Sequence, residues 1–374
     1  MKLEKFFQDK KTIFLIVILL LAFCIRVFNL SYRQAGVDEE LTIRVTKSFE
    51  EAIAFSNSDF YPPLSYVLMV PVVSLLGGFW ARFFFALVGT LAVFLFYFLA
   101  KAFFSEQEAL LSTLLFAFNP LNVFYSVNLR HYVFLLLLSL LAMLAMISLL
   151  KKFSMKSLAL FCASLVLMGY INYVCWAYAI AALVFFLFFL KDKKFFKECV
   201  GGMALVLLCL AFLLPLAISQ FNNFSKSHYF AQPFNPLIYP YAFYKLAVGV
   251  NISSALNFFP PLLFVVPIVL VLFVYGAILF WRQKNEVGRF IFFFFIVSAT
   301  LLALGSIKSP MLFSFRYLFP LMPAFIIFLS KGIFSFENFK ALSLTAFIIL
   351  LWLIAIFYYF LVSSLADWNA FIGL

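Results

Sequence analysis

Long apolar runs separated by short polar breaks organise this chain. Runs at 12–30, 79–100, 108–126, 130–150, 158–171, 173–190, 199–217, 260–281, 290–305, 315–333 and 342–362 have the character of membrane spans. TIFLIVILLLAF (12–23) and FLLLLSLLAMLAMISLL (134–150) show the purity involved. About 20 mostly apolar residues cross a bilayer as a helix, and backbone facing lipid must satisfy its own hydrogen bonds, so helices are expected throughout. The stretch 158–190 is too long for one crossing and reads as a tight hairpin. The stretch 62–78 (PPLSYVLMVPVVSLLGG) is interrupted by Pro62, Pro63, Pro71, Gly77 and Gly78. It is expected to dip into the membrane or lie at its surface.

Composition turns this pattern into a class. Hydrophobic residues make up 66% of the chain and charged residues 11%, against about 45–50% and about 25% in soluble domains. That excess cannot be hidden in one core, so the outer surface itself faces lipid. The first run lacks a small-residue cleavage site and is followed by equivalent spans, so it reads as a retained helix. The net charge of +12 does not point to nucleic acid, because the basic residues sit mainly in short links, where they set orientation. Lys2, Lys5, Lys10 and Lys11, then Lys151, Lys152 and Lys156, then Lys191 to Lys197, then Arg282, Lys284 and Arg289, then Lys331 and Lys340 all fall inside if 62–78 does not cross. The expectation is eleven crossings in a plasma-membrane protein, with a cytoplasmic N-terminus and an extracytoplasmic C-terminus. Residues 1–374 form one membrane domain without a large soluble part. Its long outer segments are 31–61 and 218–259.

The candidate chemistry lies on that outer side. In SYRQAGVDEELTIRVTKSFEEAIAF (31–55), helical spacing from Asp38 to Phe55 aligns Leu41, Val45, Phe49 and Ile53, as in a helix lying on the membrane surface. Asp38 and Glu39 stand at its start, where helix capping is the plain explanation and a catalytic pair the sharper one. Arg82, Arg130 and Arg316 each open a span. One such arginine reaches headgroups; three at one face opposite two carboxylates suggest a site for a phosphate, whose oxygens arginine binds in a bidentate fork. Tyr61 and Tyr66 flank two prolines at headgroup level, as an aromatic belt would. Lys226, His228 and Lys245 lie on the second outer segment, where solvated loop charges are the plain reading and a lid over the site the sharper one. Cys24, Cys162, Cys175, Cys199 and Cys209 form no CxxC pair and read as small core residues. With only His131 and His228, a histidine-based metal centre is not expected.

The order of these motifs is recognisable. Asp38-Glu39, Tyr61-Pro62-Pro63-Leu64, Arg82, Pro120, Arg130-His131-Tyr132, Arg316-Tyr317 with Pro323, and Ala366-Asp367-Trp368 follow one another as in the GT-C superfamily of membrane glycosyltransferases. The chain resembles in particular protein O-mannosyltransferase-like and aminoarabinose-transferase-like enzymes, over nearly its whole length. Relatives often carry His where this chain has Tyr61, and His-Tyr where it has Asn172-Tyr173. The resemblance implies an all-α GT-C-type bundle of about 11–13 transmembrane helices with a juxtamembrane helix in the first outer loop. It also implies a polyprenyl-phosphate sugar as donor and a lipid, glycan or protein as acceptor.

From the residue types, Asp38 is expected to act as general base, with Glu39 orienting it. Arg130 and Arg316, with Tyr317 and Arg82, are expected to hold the departing phosphate, while Tyr61, Tyr132 and His131 line the substrate. A single base and no second carboxylate placed as a nucleophile imply inversion. No cofactor is required by these residues, and a divalent cation shared by Asp38 and Glu39 is left open. A lipid-linked-sugar flippase would need a polar midplane pathway, whereas the span centres are nearly pure apolar. A polysaccharide polymerase or ligase would show an arginine- and histidine-rich outer loop, and 218–259 has no arginine and one histidine.

Overall fold

The computed structural model describes residues 2–28, 30, 36–191, 193–224, 235–249, 260–282, 285–308 and 310–362. Lys226, His228, Lys284 and Ala366-Asp367-Trp368, singled out above, lie outside these residues. The described chain is a helical bundle with no strand among the described residues. In order, the helices are α1 (Lys2–Val27), α2 (Val37–Val45), α3 (Phe49–Ser58), α4 (Leu64–Val67), α5 (Val70–Lys101), α6 (Glu106–Phe118), α7 (Pro120–Tyr125), α8 (Tyr132–Lys151), α9 (Met155–Ile171) and α10 (Trp176–Phe189). Then come α11 (Phe196–Ala211), α12 (Leu214–Phe224), α13 (Ile238–Val248), α14 (Val265–Arg282), α15 (Glu286–Ser306), α16 (Phe315–Leu318), α17 (Met322–Ile333) and α18 (Asn338–Val362).

Several runs that look continuous in sequence are broken, each for a local reason. The run 108–126 stops at Asn119, whose side chain accepts from the Asn122 N–H and caps α7, with Pro120 at its first position. The run 199–217 bends by 47° between α11 and α12. The expected single surface helix over 38–55 is two helices. Ser48 caps α3 by accepting from Glu51 N, so the predicted stripe splits: Val45 is buried while Phe49 and Ile53 are exposed. Within α5, Gly77 has φ of +71°, a left-handed conformation that glycine adopts without strain. The piece before it, 70–76, spans only about 11 Å at 1.5 Å per residue, too short to cross. Six described helices, or seven with the bent α11–α12 pair, are long and apolar enough to span a membrane. α9 and α10 are apolar but shorter.

The innermost helix is α17, where Ala324 through Leu329 are fully buried. It packs against α14 almost backbone to backbone. A Cβ on Gly276 would fall 1.8 Å from the Phe328 carbonyl oxygen, and one on Gly332 would fall 2.0 Å from that of Leu272. Small residues let membrane helices approach this closely and gain dispersion contact. Gly276→Ala is therefore expected to lower stability by about 1–3 kcal/mol or more through overpacking; a melting temperature in detergent equal to that of the wild type would contradict it. The five cysteines are free. Cys175 and Cys199 are buried as expected of core residues, whereas Cys24 is exposed.

Candidate functional site

One cluster gathers side chains from α2, the turn before α8, and α16. Helix α2 begins after Gly36, which makes no side-chain cap, so Asp38 is not used as the helix cap. Its carboxylate Oδ2 instead accepts from Arg316 Nη1 at 3.2 Å. Arg130 lies on the other side: its Nη1 donates to Thr42 Oγ1 at 3.2 Å and to the Asp38 carbonyl at 3.5 Å. Thr42 is one helical turn beyond Asp38 and so shares its face. Burial alone would raise the Asp38 pKa, but the positive charges of Arg130 and Arg316 outweigh it and hold the carboxyl below its ordinary value. The Asp38 side chain keeps 29% of its surface, so it remains within reach from outside. Arg130 is buried, and its Nε has no hydrogen-bond partner among the described residues.

Glu39 and Arg82 go elsewhere. Successive helical residues point about 100° apart, so the two adjacent carboxylates cannot face one pocket. Glu39 is fully buried, with Oε1 accepting from Arg82 Nε at 2.8 Å and from Leu129 N at 3.4 Å. Arg82 Nη1 also donates to the Leu30 carbonyl at 3.2 Å. This pair braces α2 against α5 and the turn that carries Arg130. The residues present therefore do not fit a divalent cation shared by Asp38 and Glu39. No group of three or more His, Cys, Asp or Glu converges among the described residues.

Phenols form the floor. Tyr61 OH lies 3.1 Å from Tyr132 OH and 3.2 Å from Tyr317 OH. Three hydroxyl protons serve two contacts, which leaves one free to donate onward. The Tyr61 ring also sits beneath the Arg130 guanidinium, 5.5 Å from its centroid, and edge-on to His131 at 4.8 Å. Burial raises the Tyr61 pKa well above its ordinary value, keeping it a proton donor. Burial first, then the charge of Arg130, depresses the His131 pKa, so its imidazole is neutral. The Tyr61 backbone is held from behind: its carbonyl accepts from Ser56 Oγ at 3.1 Å and from Gln220 Nε2 on α12 at 3.4 Å, and Gln220 in turn accepts from Tyr173 OH at 2.6 Å. Asp38, Arg130, Arg316, Tyr61, Tyr132, Tyr317 and His131 are thus brought together; Glu39 and Arg82 are not. Thr42 and Gln220 were missed, although the four-residue spacing from Asp38 would have pointed to Thr42.

Residues 62–218 match the family model described as dolichyl-phosphate-mannose-protein mannosyltransferase. That segment includes Arg130 and Tyr132 but neither Asp38 nor Arg316. Among solved structures the fold is similar to ArnT from Cupriavidus metallidurans in the apo state, with TM-score 0.58 and 15% identity over 89% of this chain and 62% of that one. It is also similar to the archaeal oligosaccharyltransferase AglB from Archaeoglobus fulgidus, solved with an inhibitory peptide and a dolichol-phosphate (TM-score 0.56, 14% identity, 96% of this chain, 56% of that one). The chain spans less than two thirds of either structure's length. No curated protein sequence matches it significantly. The family model thus covers less than half of the chain, and the two structures show a shared membrane-helix fold.

Proposed function

We propose that this chain transfers a sugar, with inversion, from a polyprenyl-phosphate donor to an acceptor hydroxyl or amine at the extracytoplasmic face. The observation that carries the reading is the Asp38–Arg316 contact at 3.2 Å beside Arg130. It puts a carboxylate and two guanidinium groups in one partly open pocket. In this reading Asp38 takes the acceptor proton as the acceptor atom bonds to the anomeric carbon. The bond from that carbon to the phosphate oxygen breaks, and its electron pair leaves with the phosphate. Arg130 and Arg316 meet the growing negative charge, and the spare phenolic proton of the Tyr61–Tyr132–Tyr317 group hydrogen-bonds to it. Glu39 and Arg82 act as braces in this scheme, without touching substrate. The proposed orientation keeps the N-terminus cytoplasmic and the C-terminus outside, in the plasma membrane.

The test is a donor panel. Purified protein is incubated with radiolabelled polyprenyl-phosphate sugars and a membrane extract. Label moving from the polyprenyl donor into a second product is the expected result. No transfer from any donor, under conditions where the protein remains folded, would remove the enzymatic reading.

Because Asp38 is held below its ordinary pKa, it stays ionised through the neutral range and gains a proton only as the pH falls through that lowered value. The acid limb of kcat/KM should therefore lie below pH about 4, the usual aspartate range. A limb near pH 6 would show that another group supplies the base.

A further inference from the structure

Gln220 is a buried amide in an apolar helix. It lies on α12, in LPLAISQFNNF (214–224), and is 1% exposed. Burying an amide is costly unless its polar atoms are paired. Both are paired here. Nε2 donates to two carbonyls, those of Ser56 and Tyr61, and Oε1 accepts from Tyr173 OH at 2.6 Å. Four segments distant in sequence therefore meet at one side chain: α3, the loop before Pro62, the turn between α9 and α10, and α12.

The path of the chain explains how Gln220 gets there. Pro215 has no N–H to return to Ala211, and its ring crowds that carbonyl, so the helix cannot run straight through it. The break falls at Phe212–Leu213, and α12 leaves α11 at 47°. That bend brings Gln220 to the last turn of α3, where Ser56 lies. Pro62 and Pro63 follow Tyr61 and offer no N–H, so the loop is held through the Tyr61 carbonyl. The side chain of the same residue carries the hydroxyl that lies 3.1 Å from Tyr132 OH and 3.2 Å from Tyr317 OH.

Resting on the donor reading above, we propose that Gln220 is a positioning residue for the transfer step. It fixes the Tyr61 backbone and so aims the phenol at the departing phosphate, while Tyr173 orients the amide. Gln220 itself touches no substrate. A group that answers charge growing in the transition state must already be in place, and a displacement of about 1 Å can cost about a hundredfold. The loss falls on turnover, because the two arginines hold the ground-state phosphate without the phenol.

The test is a double-mutant cycle on sugar transfer by the full-length protein in nanodiscs, using a donor from the panel above. Gln220→Met removes the amide at similar volume and is expected to lower kcat by about tenfold or more, with little change in KM for the donor. Tyr173→Phe removes only the hydroxyl that orients the amide and should give a smaller loss of the same kind. In a Tyr61→Phe background no phenol is left to aim, so both changes should leave kcat at the value of Tyr61→Phe alone. Gln220→Glu keeps the shape but must be protonated to donate to either carbonyl, so its kcat should fall more steeply with rising pH than that of wild type. An unchanged kcat in Gln220→Met would overturn the proposal, as would an equal loss with and without the Tyr61 hydroxyl. Should Gln220→Met not fold, Tyr173→Phe decides by the same criterion. A wild type that transfers no sugar would overturn the donor reading and this inference with it; transfer indifferent to Gln220 overturns this inference alone.

Discussion

Asp38→Asn is expected to lower kcat by about 10²–10⁴-fold, the usual contribution of a positioned general base, while donor binding is kept or tightened. The amide has nearly the size of the carboxylate and can still accept from Arg316 Nη1, so the pocket keeps its shape. It cannot take a proton from the acceptor. It also removes one negative charge beside Arg130 and Arg316, leaving both guanidinium groups to the donor phosphate. The split between turnover and binding is the diagnostic feature. A variant that turns over normally would show that Asp38 is only a partner for Arg316. A variant that loses donor binding and turnover in equal measure would show that it shapes the pocket without reacting in it.

The largest effect on stability is expected from Glu39→Gln. Glu39 is fully buried, and Arg82 is nearly so. Removing one charge breaks a buried ion pair in a low-dielectric interior, at about 3–5 kcal/mol. Arg82→Met should cost a similar amount for the same reason. The Glu39→Gln/Arg82→Met double variant should recover much of the loss, because neither buried charge then remains. Activity should follow a different path. Glu39 also accepts from the Leu129 N–H, the residue just before Arg130, so all three variants should loosen the turn that presents Arg130. Melting temperatures in detergent, read beside transfer rates, separate the two effects. A double variant no more stable than the worse single would contradict the buried-pair account.

Much of this architecture was legible from runs of apolar residues, because lipid enforces helices and basic links mark their ends. Helix breaks were harder to see. The capping of α7 by Asn119 and of α3 by Ser48 depends on single side chains inside otherwise continuous patterns. Asp38, Arg130 and Arg316 were visible as types on one face. Their meeting depended on tertiary packing between positions 278 residues apart at the extremes. Glu39 illustrates the opposite error. Its adjacency to Asp38 suggested a pair, although a helix turns the two apart, and the expected helix already contained that answer. Lys245, 1% exposed on α13, was misread because a loop lysine is ordinarily solvated. Nothing local distinguished this one; only the burial of α13 against α7 and α16 did so.

Outside this cluster, the chain holds an apolar cavity of about 560 Å³ between α1, α6 and α18, lined by Phe14, Val17, Leu111, Leu114, Phe334 and Leu342 among others. It offers a lipid chain an alternative resting place, toward the start of α6 and away from Arg130. The most direct measurement is therefore a photocrosslink with a polyprenyl-phosphate sugar carrying a diazirine next to the phosphate, mapped by mass spectrometry. Adducts are predicted within 126–132 and 314–317, and they should be lost on competition with unlabelled polyprenyl phosphate. Competable adducts confined to Phe14–Leu21 and Leu110–Leu114 would contradict the assignment.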